Sequence, residues 1–285
     1  MNYTQRDIVN IKKYSSEEIL NDFKKLENID CSDITQSSSL GSKIMNHFFF
    51  KYTINVRGQK NVSFVEFLND KELLNKPYFK SFIKNNMKDT NNPLKIYLRY
   101  FKLYIGSISL FKPSIAKFIF CKFKPHTVLD FSAGWGGRLI GALSIPDIQY
   151  IGFDTNKDLR TPYKKLLNFL HMEDRAKIFF IDSSKVNFSK FKYDMVFTSP
   201  PYYTKEKYHN MPEYTSLEDF NENFFFPVVK NSYKYLQNGG TYALNIPKNM
   251  YEDIKSILGK AHQKIELYLS SNRKYHEYIY IWFKP

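Results

Sequence analysis

The chain contains two short runs whose residue types and order could support a chemical reaction. The first is Thr198-Ser199-Pro200-Pro201-Tyr202-Tyr203, which follows the apolar segment Tyr193 to Phe197 and combines a hydroxyl, two rigid prolines and aromatic rings. The second is Asp130-Phe131-Ser132-Ala133-Gly134-Trp135-Gly136-Gly137, a glycine turn after an apolar strand, where the backbone can turn sharply and approach a ligand. Together they indicate a planar amine held in front of a methyl donor.

Acidic residues end the next two apolar strands, at the carboxyl ends where open α/β sheets bind their ligands. Asp154 could accept hydrogen bonds from both hydroxyls of a ribose, or could cap the helix that follows. Asp182 could accept from an adenine amine, and its neighbour Ser183 could share that site or serve a turn. The glycine turn lacks the Gly-x-Gly-x-x-Gly spacing of dinucleotide sites and the lysine of a P-loop. These residues therefore predict a nucleoside site of another type.

The elements that must position these residues fall into two regions, 1–112 and 113–285. The first is predicted to be mostly helical, with helices at about Ser16 to Asn28, after Ser63, and from Pro93 to Ile105. In the second, a helix from Ser114 to Phe123 precedes β-rich runs that alternate with helices, one of them from Leu217 to Leu236. The predicted strands are Thr127 to Phe131, Gln149 to Asp154, Ala176 to Ile181, Tyr193 to Thr198, Thr241 to Ile246, Lys264 to Leu269 and Glu277 to Phe283. This alternation predicts a mostly parallel sheet with helices on both faces and an antiparallel hairpin at one edge.

The positive charge is concentrated upstream of the motifs. The formal net charge is +14, and residues 34–126 hold sixteen Lys or Arg against four Asp or Glu, whereas residues 127–285 hold twenty-one against seventeen. Aromatic residues are interleaved with these cations, as in Tyr97-Leu98-Arg99-Tyr100-Phe101-Lys102. Such a segment suits a nucleic acid, because cations neutralise phosphates and rings contact bases, although the same aromatics at helical spacing could be core and the lysines a solvated face.

The composition also sets limits on compartment and metals. No apolar stretch approaches the roughly 20 residues of a membrane span, and no secretory signal begins the chain, so we expect a soluble, intracellular protein. Cys31 and Cys121 are the only cysteines, and we expect both to be reduced core thiols. Their spacing is not that of a zinc site, so no metal is expected.

The ordered set of motifs resembles the S-adenosylmethionine-dependent methyltransferases that act on exocyclic amines of DNA bases. The resemblance is carried by Val128 to Gly137, Gly152-Phe153-Asp154, Ile181-Asp182, Thr198 to Tyr203 and Leu236 to Thr241, and covers about Pro113 to Pro285. It implies a Rossmann-like class I methyltransferase fold and S-adenosylmethionine as the cofactor. It also implies that the turn from Asp130 through Ser132, Ala133 and Gly134 to Gly136 binds the methionine moiety, Asp154 the ribose, Asp182 with Ser183 the adenine, and Ser199, Pro200, Pro201 and Tyr202 the target base.

The chemistry of the residues agrees with this assignment. A base amine is a poor nucleophile because its lone pair is delocalised into the ring. Two acceptors, the Ser199 hydroxyl and the Pro200 carbonyl, could bind its hydrogens and leave the lone pair facing the methyl carbon, so positioning supplies much of the acceleration. Tyr202 would stack on the base, which must be flipped out of a duplex or presented on a single strand. The same Pro-Pro-Tyr run could also be a rigid exit from a strand.

The loop that follows, 204–216, could close over the substrate or be a solvated connection. It contains Lys205, Lys207, Tyr208, His209 and Tyr214. A general base at His209 is not expected, because the amine becomes strongly acidic once transfer begins.

Several interpretations of the substrate remain open. Serine before the two prolines favours cytosine N4 over adenine N6 by resemblance, and the glutamine-amide methyltransferases that this chain also resembles carry asparagine at the position of Ser199. RNA in place of DNA and a non-catalytic nucleic-acid-binding protein are further alternatives. The donor motif precedes Ser199, whereas many cytosine-N4 enzymes have the opposite order, and the residues after Tyr202 are all needed to complete the sheet. We therefore expect residues 34–112 to recognise the nucleic acid.

Overall fold

The computed structural model describes residues 3–58, 60–87, 90, 92–106, 108, 110–203, 212–267 and 277–285. Within these ranges, seven strands form one sheet. They are β1 (Thr127–Asp130), β2 (Gln149–Asp154), β3 (Ala176–Phe180), β4 (Met195–Thr198), β5 (Thr241–Ile246), β6 (Gln263–Leu267) and β7 (Glu277–Phe283). Their order across the sheet is β3-β2-β1-β4-β5-β7-β6.

The direction of the strands confirms the predicted Rossmann-like architecture. β1 pairs in parallel with β2 on one side and with β4 on the other, and β3 and β5 extend the parallel sheet outward. β7 runs antiparallel between β5 and β6 and forms the predicted edge hairpin. Because chain order reverses beside β1, the carboxyl ends of β1 and β4 flank the point at which such sheets open a crevice.

Helices cover both faces of the sheet, which is why its central strands are buried and mostly apolar. Every residue of β4 and β5 is buried. The helices are α1 (Gln5–Asn10), α2 (Ser16–Asn28), α3 (Ser42–Thr53), α4 (Phe64–Asn69), α5 (Lys71–Asn75), α6 (Pro77–Asn86), α7 (Pro93–Tyr100), α8 (Pro113–Phe123), α9 (Gly137–Leu143), α10 (Arg160–Leu170), α11 (Leu217–Phe220), α12 (Phe226–Lys234) and α13 (Lys248–Leu258). The capping boxes at Ser15 and Ser63 are present.

Two predicted helices are interrupted by wider turns. The helix predicted over Leu217 to Leu236 consists of α11, a π-helical turn at Asn221–Phe225, and α12. Pro227 explains the break, because a proline lacks the N–H that would continue an α-helical ladder. The helix from Pro93 changes to π-helical geometry over Phe101–Gly106. The last two residues predicted for β6, 268 and 269, lie outside the described residues.

The N-terminal helices are divided between two hydrophobic clusters. Ile19 and Phe23 of α2 and Phe49 of α3 are buried in one cluster with Val128 of β1 and Phe197 of β4. A separate cluster unites α1 and the C-terminal end of α3 with α4, α6 and α7. Residues 42–53 therefore belong to the core that supports the sheet, although they lie upstream of residue 113.

The expectation that both cysteines are reduced is wrong. Cys31 and Cys121 form a disulfide, with their Cα atoms 6.2 Å apart. Cys31 lies in a 3₁₀ turn, Cys31–Asp33, that packs on α8. Sequence spacing does not predict this contact, because the two positions are 90 residues apart and only tertiary packing brings them together.

Candidate active site

A cavity of about 230 Å³ opens at the carboxyl ends of β1, β2, β4 and β5. Most of the predicted site residues share it, although they come from different strand ends. Those that line it are Ser132, Ala133, Gly134, Asp154, Ser183, Ser199, Pro200, Pro201 and Tyr202. The structure thus brings the predicted donor side and the predicted amine side into one space.

The glycine turn is held open by backbone conformations that glycine favours. Gly134 has φ of 60° and Gly136 has φ of 75°, both in the left-handed region. The Gly134 N–H donates to Oδ2 of Asp154 at 2.7 Å, and its carbonyl accepts from the Tyr163 hydroxyl at 2.9 Å. Gly136 does not line the cavity. It caps α9 and lies against the ring of Phe49, which a Cβ at Gly136 would meet at 2.8 Å.

Asp130 lies beneath the turn and does not face the cavity. Its side chain is fully buried, and its carboxylate accepts from Nε of Arg138 at 2.6 Å and from the Tyr150 hydroxyl at 2.5 Å. Arg138 also donates through Nη2 to the Ser132 carbonyl at 2.5 Å. Burial alone would lower the pKa of Arg138, but the Asp130 carboxylate raises it overall, so the arginine stays a cation. This buried ion pair fixes the shape of the turn from below.

The role of Arg138 was not predicted from the sequence. A signal was available, because it is the only charged residue in the apolar helix GRLIGAL that follows the glycine turn. A charge in such a helix needs a buried partner, and the aspartate that ends the preceding strand is the nearest acidic residue in the chain.

Asp154 faces the cavity and already accepts two backbone hydrogen bonds. Its Oδ1 accepts from the Asn156 N–H at 2.8 Å and its Oδ2 from the Gly134 N–H at 2.7 Å. Burial, with a smaller contribution from the Asp130 charge, raises the pKa of Asp154 to about 6 against the opposing effects of these hydrogen bonds and Arg138. Each carboxylate oxygen has two lone pairs, so each can accept one more hydrogen bond from a ligand.

After β3 ends, one of the two predicted residues lines the cavity and the other does not. Ser183 is buried and lines the cavity. Asp182 does not line it. Its Oδ1 accepts from the N–H and the hydroxyl of Ser184 at 3.0 Å and 2.8 Å, which makes Asp182 the cap of the 3₁₀ turn Ser183–Lys185.

The Ser-Pro-Pro-Tyr run leaves β4 directly at the cavity. Pro200 is buried, whereas Ser199, Pro201 and Tyr202 are half-buried, so these three keep surface toward the cavity. The Tyr202 hydroxyl donates to the Asn245 carbonyl at the end of β5, at 3.4 Å. The preceding Thr198 is fully buried, and its Oγ1 has no hydrogen-bond partner among the described residues.

The loop 204–216, which could close over the substrate or be a solvated connection, is described only from residue 212 onward. Lys205, Lys207, Tyr208 and His209 lie outside the described residues. Tyr214 lines the cavity, and burial together with the nearby charge of Asp182 raises its pKa to about 12. Tyr214 therefore remains a neutral phenol at physiological pH.

Residues from four further segments also line the cavity, and none of them was predicted from the sequence. Gln36 reaches it from the linker before α3, and its Nε2 donates to the Glu266 carbonyl at 2.7 Å. Asn245 and the buried Glu277 add polar groups from β5 and β7. The run Leu110 to Lys112 forms a further wall, with Nζ of Lys112 donating to the Gln36 carbonyl at 2.8 Å.

Gly137 fixes that wall against the start of α9. A Cβ at this position would overlap the backbone carbonyl of Phe111. We predict that Gly137→Ala lowers the free energy of unfolding by about 3 kcal/mol, because the helix start or the 110–112 run must move. Gly239→Ala is the control, since Gly239 has φ of 77° and a Cβ added there would meet no described heavy atom within 4 Å. This control should cost only about 1 kcal/mol of backbone strain. Equal urea midpoints for the two variants would contradict the contact.

Within the described ranges, no group of three His, Cys, Asp or Glu side chains is placed to hold a metal ion. Nor does the described part of the chain contain a helix with the length and apolarity that crossing a membrane requires.

Comparison with known proteins gives structural likeness only. No protein-family model matches the chain, and no curated protein sequence matches it. Similar solved structures include TrmN from Thermus thermophilus, with 13% identity, TM-score 0.44 and coverage of 61% of this chain and 49% of that one. The O-methyltransferase of a Brevibacillus brevis multienzyme, solved with S-adenosyl-L-homocysteine, shares 19% identity, TM-score 0.42, and 61% and 72% coverage.

An rRNA methylase from Streptococcus thermophilus is likewise similar, with 10% identity, TM-score 0.43 and coverage of 62% of this chain and 99% of that one. This chain thus spans about half of the first of these structures and nearly all of the last. Each of these three scores is below 0.5, so the function proposed below is drawn from the geometry of the cavity.

Proposed function

We propose that this chain transfers a methyl group from S-adenosylmethionine to the exocyclic amine of a nucleic-acid base, with cytosine N4 in DNA as the first candidate. The observation that carries the proposal is the shared cavity. Asp154 and the Gly134 turn line it from the ends of β2 and β1, and Ser199, Pro200 and Tyr202 line it from the end of the neighbouring β4. A carboxylate that could bind the ribose of a nucleoside and a hydroxyl that could bind an amine line the same cavity. This arrangement suits a reaction between two bound molecules.

The donor side fits the cofactor by the chemistry of its groups. Asp154 offers further lone pairs on both carboxylate oxygens to the two ribose hydroxyls. Ser183 is the nearer candidate for the adenine, because it lines the cavity and Asp182 does not. The turn at Ala133 and Gly134 would hold the methionine moiety, while Asp130 and Gly136 keep that turn in shape from outside the cavity. When bound, the cofactor supplies an electrophilic methyl carbon on a sulfonium.

The amine side requires only acceptors and a ring. The Ser199 hydroxyl and the Pro200 carbonyl would take the two amine hydrogens and orient the nitrogen lone pair toward the donor side. Tyr202 would stack on the base, and its hydroxyl bond to the Asn245 carbonyl holds the ring in place. The proton released afterwards needs no strong base, because the methylated nitrogen is itself strongly acidic.

The polymer is inferred from charge. The surplus of residues 34–126 gives a nucleic acid a favourable surface, and a base can enter a cavity of this kind only when it is flipped out or unpaired. We also propose that residues 34–112 recognise the nucleic acid. This recognition is tested by point substitutions, because truncation before Gly41 or Pro93 would remove α2, or α2 and α3, whose side chains belong to the core of the sheet.

The deciding experiment identifies the methylated product. The full chain is incubated with methyl-labelled S-adenosylmethionine and, separately, with DNA, RNA or protein, and each polymer is digested to its monomers for mass analysis. We expect N4-methylcytosine in DNA. N6-methyladenine, or label in RNA, would support the proposed site but assign it a different nucleic-acid substrate. Label on glutamine would show that the substrate is a protein. Absence of label in all three would overturn the proposal.

Cofactor affinity should depend on pH through Asp154. Its pKa in the folded protein is about 6, above the ordinary value of 3.8. The ionised carboxylate accepts two ribose hydrogen bonds better than the protonated form does, so the Kd for sinefungin should rise as pH falls through about 6 and be constant above about 7. Calorimetry between about pH 5 and pH 8 measures this. Asp154→Asn should bind more weakly at the upper end of that range and show no such rise, and an unchanged slope in that variant would assign the titration to another group.

A further inference from the structure

An exposed aromatic surface lies on the helical region, away from the residues that line the cavity. Tyr78 of α6 and Leu103 and Tyr104 of the π-helical turn after α7 are 56%, 62% and 52% exposed. We call these three residues the tyrosine platform. Large side chains exposed to this extent, and contiguous, commonly mark a binding surface.

The platform is built on a rigid base. Beneath it, the buried ring of Tyr100 has its centroid 6.4 Å from that of Tyr78, with the two planes 20° apart, and 4.8 Å from that of Tyr104. Phe82 of α6 meets Tyr104 edge to face at 5.7 Å. The two exposed rings are thus preorganised and close enough for one short stretch of a ligand to reach both.

The surroundings of the platform are cationic. Lys76 Nζ lies 5.9 Å from the centroid of the Tyr78 ring, and Lys60 Nζ donates to the Tyr104 carbonyl at 2.7 Å. Arg99 bonds to Asn86 across α6 and α7 at 3.2 Å. Residues 76–106 contain seven Lys or Arg and a single Asp, and α6, α7 and the π-helical turn contain no Asp or Glu.

We propose that the tyrosine platform binds a single-stranded segment of nucleic acid, with unpaired bases stacked on Tyr78 and Tyr104 and phosphates held by the surrounding lysines and Arg99. Exposed aromatic faces within a positive surface are the means by which proteins bind single strands without reading sequence. A duplex offers no free base faces, and an apolar protein partner would gain nothing from the surrounding cations, whereas phosphates are attracted to them. This inference deepens the proposed function and rests on it, because it places the contact that holds the polymer outside the cavity.

The test is oligonucleotide binding by the full chain. The Kd for a fluorescent single strand of about 20 nucleotides is measured at low salt for the wild type, for Tyr78→Ala/Tyr104→Ala and for Tyr78→Phe/Tyr104→Phe. Stacking is worth about tenfold in affinity per base, so the alanine pair should weaken binding about 100-fold. The phenylalanine pair keeps both rings and should stay within about twofold of the wild type. DNA and RNA strands are compared to identify the polymer, and a matched duplex should bind equally to all three proteins.

Two outcomes overturn the platform: no binding of either single strand by the wild type, or equal affinity in the alanine pair and the wild type. The unfolding midpoint and the Kd for sinefungin are measured in the same preparations. The midpoint should fall only slightly, since each tyrosine keeps about half of its surface exposed, and the Kd should not change, since neither tyrosine lines the cavity. The readouts also separate this inference from the proposed function. Failure of the methyl-transfer assay with intact strand binding rejects the function alone, and transfer with unaltered strand binding in the alanine pair rejects the platform alone.

Discussion

Tyr202→Ala is expected to lower methyl transfer about 100-fold or more while changing the Kd for sinefungin less than about threefold. The ring lines the cavity, and in the proposed reaction its removal lets the base move away from the position in which the lone pair faces the methyl carbon. A displacement of about 1 Å at a reacting centre can cost about 100-fold in rate. Single-turnover transfer and calorimetry measure the two quantities.

Two variants serve as controls for this result. Tyr202→Phe keeps the ring and loses the bond to the Asn245 carbonyl, so it should retain most of the activity. Asp154→Ala should show the opposite profile, with sinefungin binding lost first. Parallel loss of transfer and binding in both alanine variants would contradict the assignment of the two sides of the cavity.

Arg138→Ala is expected to lower the free energy of unfolding by about 3–5 kcal/mol. The substitution leaves the fully buried Asp130 carboxylate without its counter-charge and removes the donor to the Ser132 carbonyl. Breaking one partner of a buried ion pair has a cost of this size, because the remaining charge cannot be solvated. Urea unfolding of the full chain measures the change.

The matched variant is Arg138→Met/Asp130→Leu, which removes both charges and fills much of the same volume. It should recover most of the lost stability, with a remainder from the Tyr150 hydroxyl, which loses its acceptor. Sinefungin should still bind more weakly than to the wild type, because the glycine turn is no longer held from below. Full stability in Arg138→Ala would show that the pair is not the support of the turn.

Strand ends and motif order could be predicted from the sequence because both are local properties. The predicted bounds of β2, β5 and β7 agree with the structure residue for residue. Apolar runs bounded by turn residues fix where a strand stops, and parallel strands align their carboxyl ends at one edge of the sheet. That is why Ser132, Gly134, Asp154, Ser183 and Ser199, far apart in the chain, could be expected to meet in one cavity.

The directions in which side chains point at those strand ends were less predictable. Asp130 and Asp182 stand at strand ends as Asp154 does, yet of these three only Asp154 faces the cavity. Asp130 turns toward a buried arginine eight residues later, and Asp182 toward the turn that follows it. Which partner a carboxylate finds depends on competing donors within a few ångströms, and the spacing of residues does not rank them.

Local patterns along the chain were sufficient to predict the sheet, the helices that cover it and the edge at which the Ser-Pro-Pro-Tyr run and the glycine turn emerge, because periodicity and turn residues act over a few residues. The folded protein was needed to reveal the Cys31–Cys121 bond, the Asp130–Arg138 ion pair and the contribution of Gln36, Lys112 and Glu277 to the cavity. Each of these is a contact whose formation depends on how whole helices and strands pack, and close packing is a property of volumes in three dimensions that no local pattern encodes.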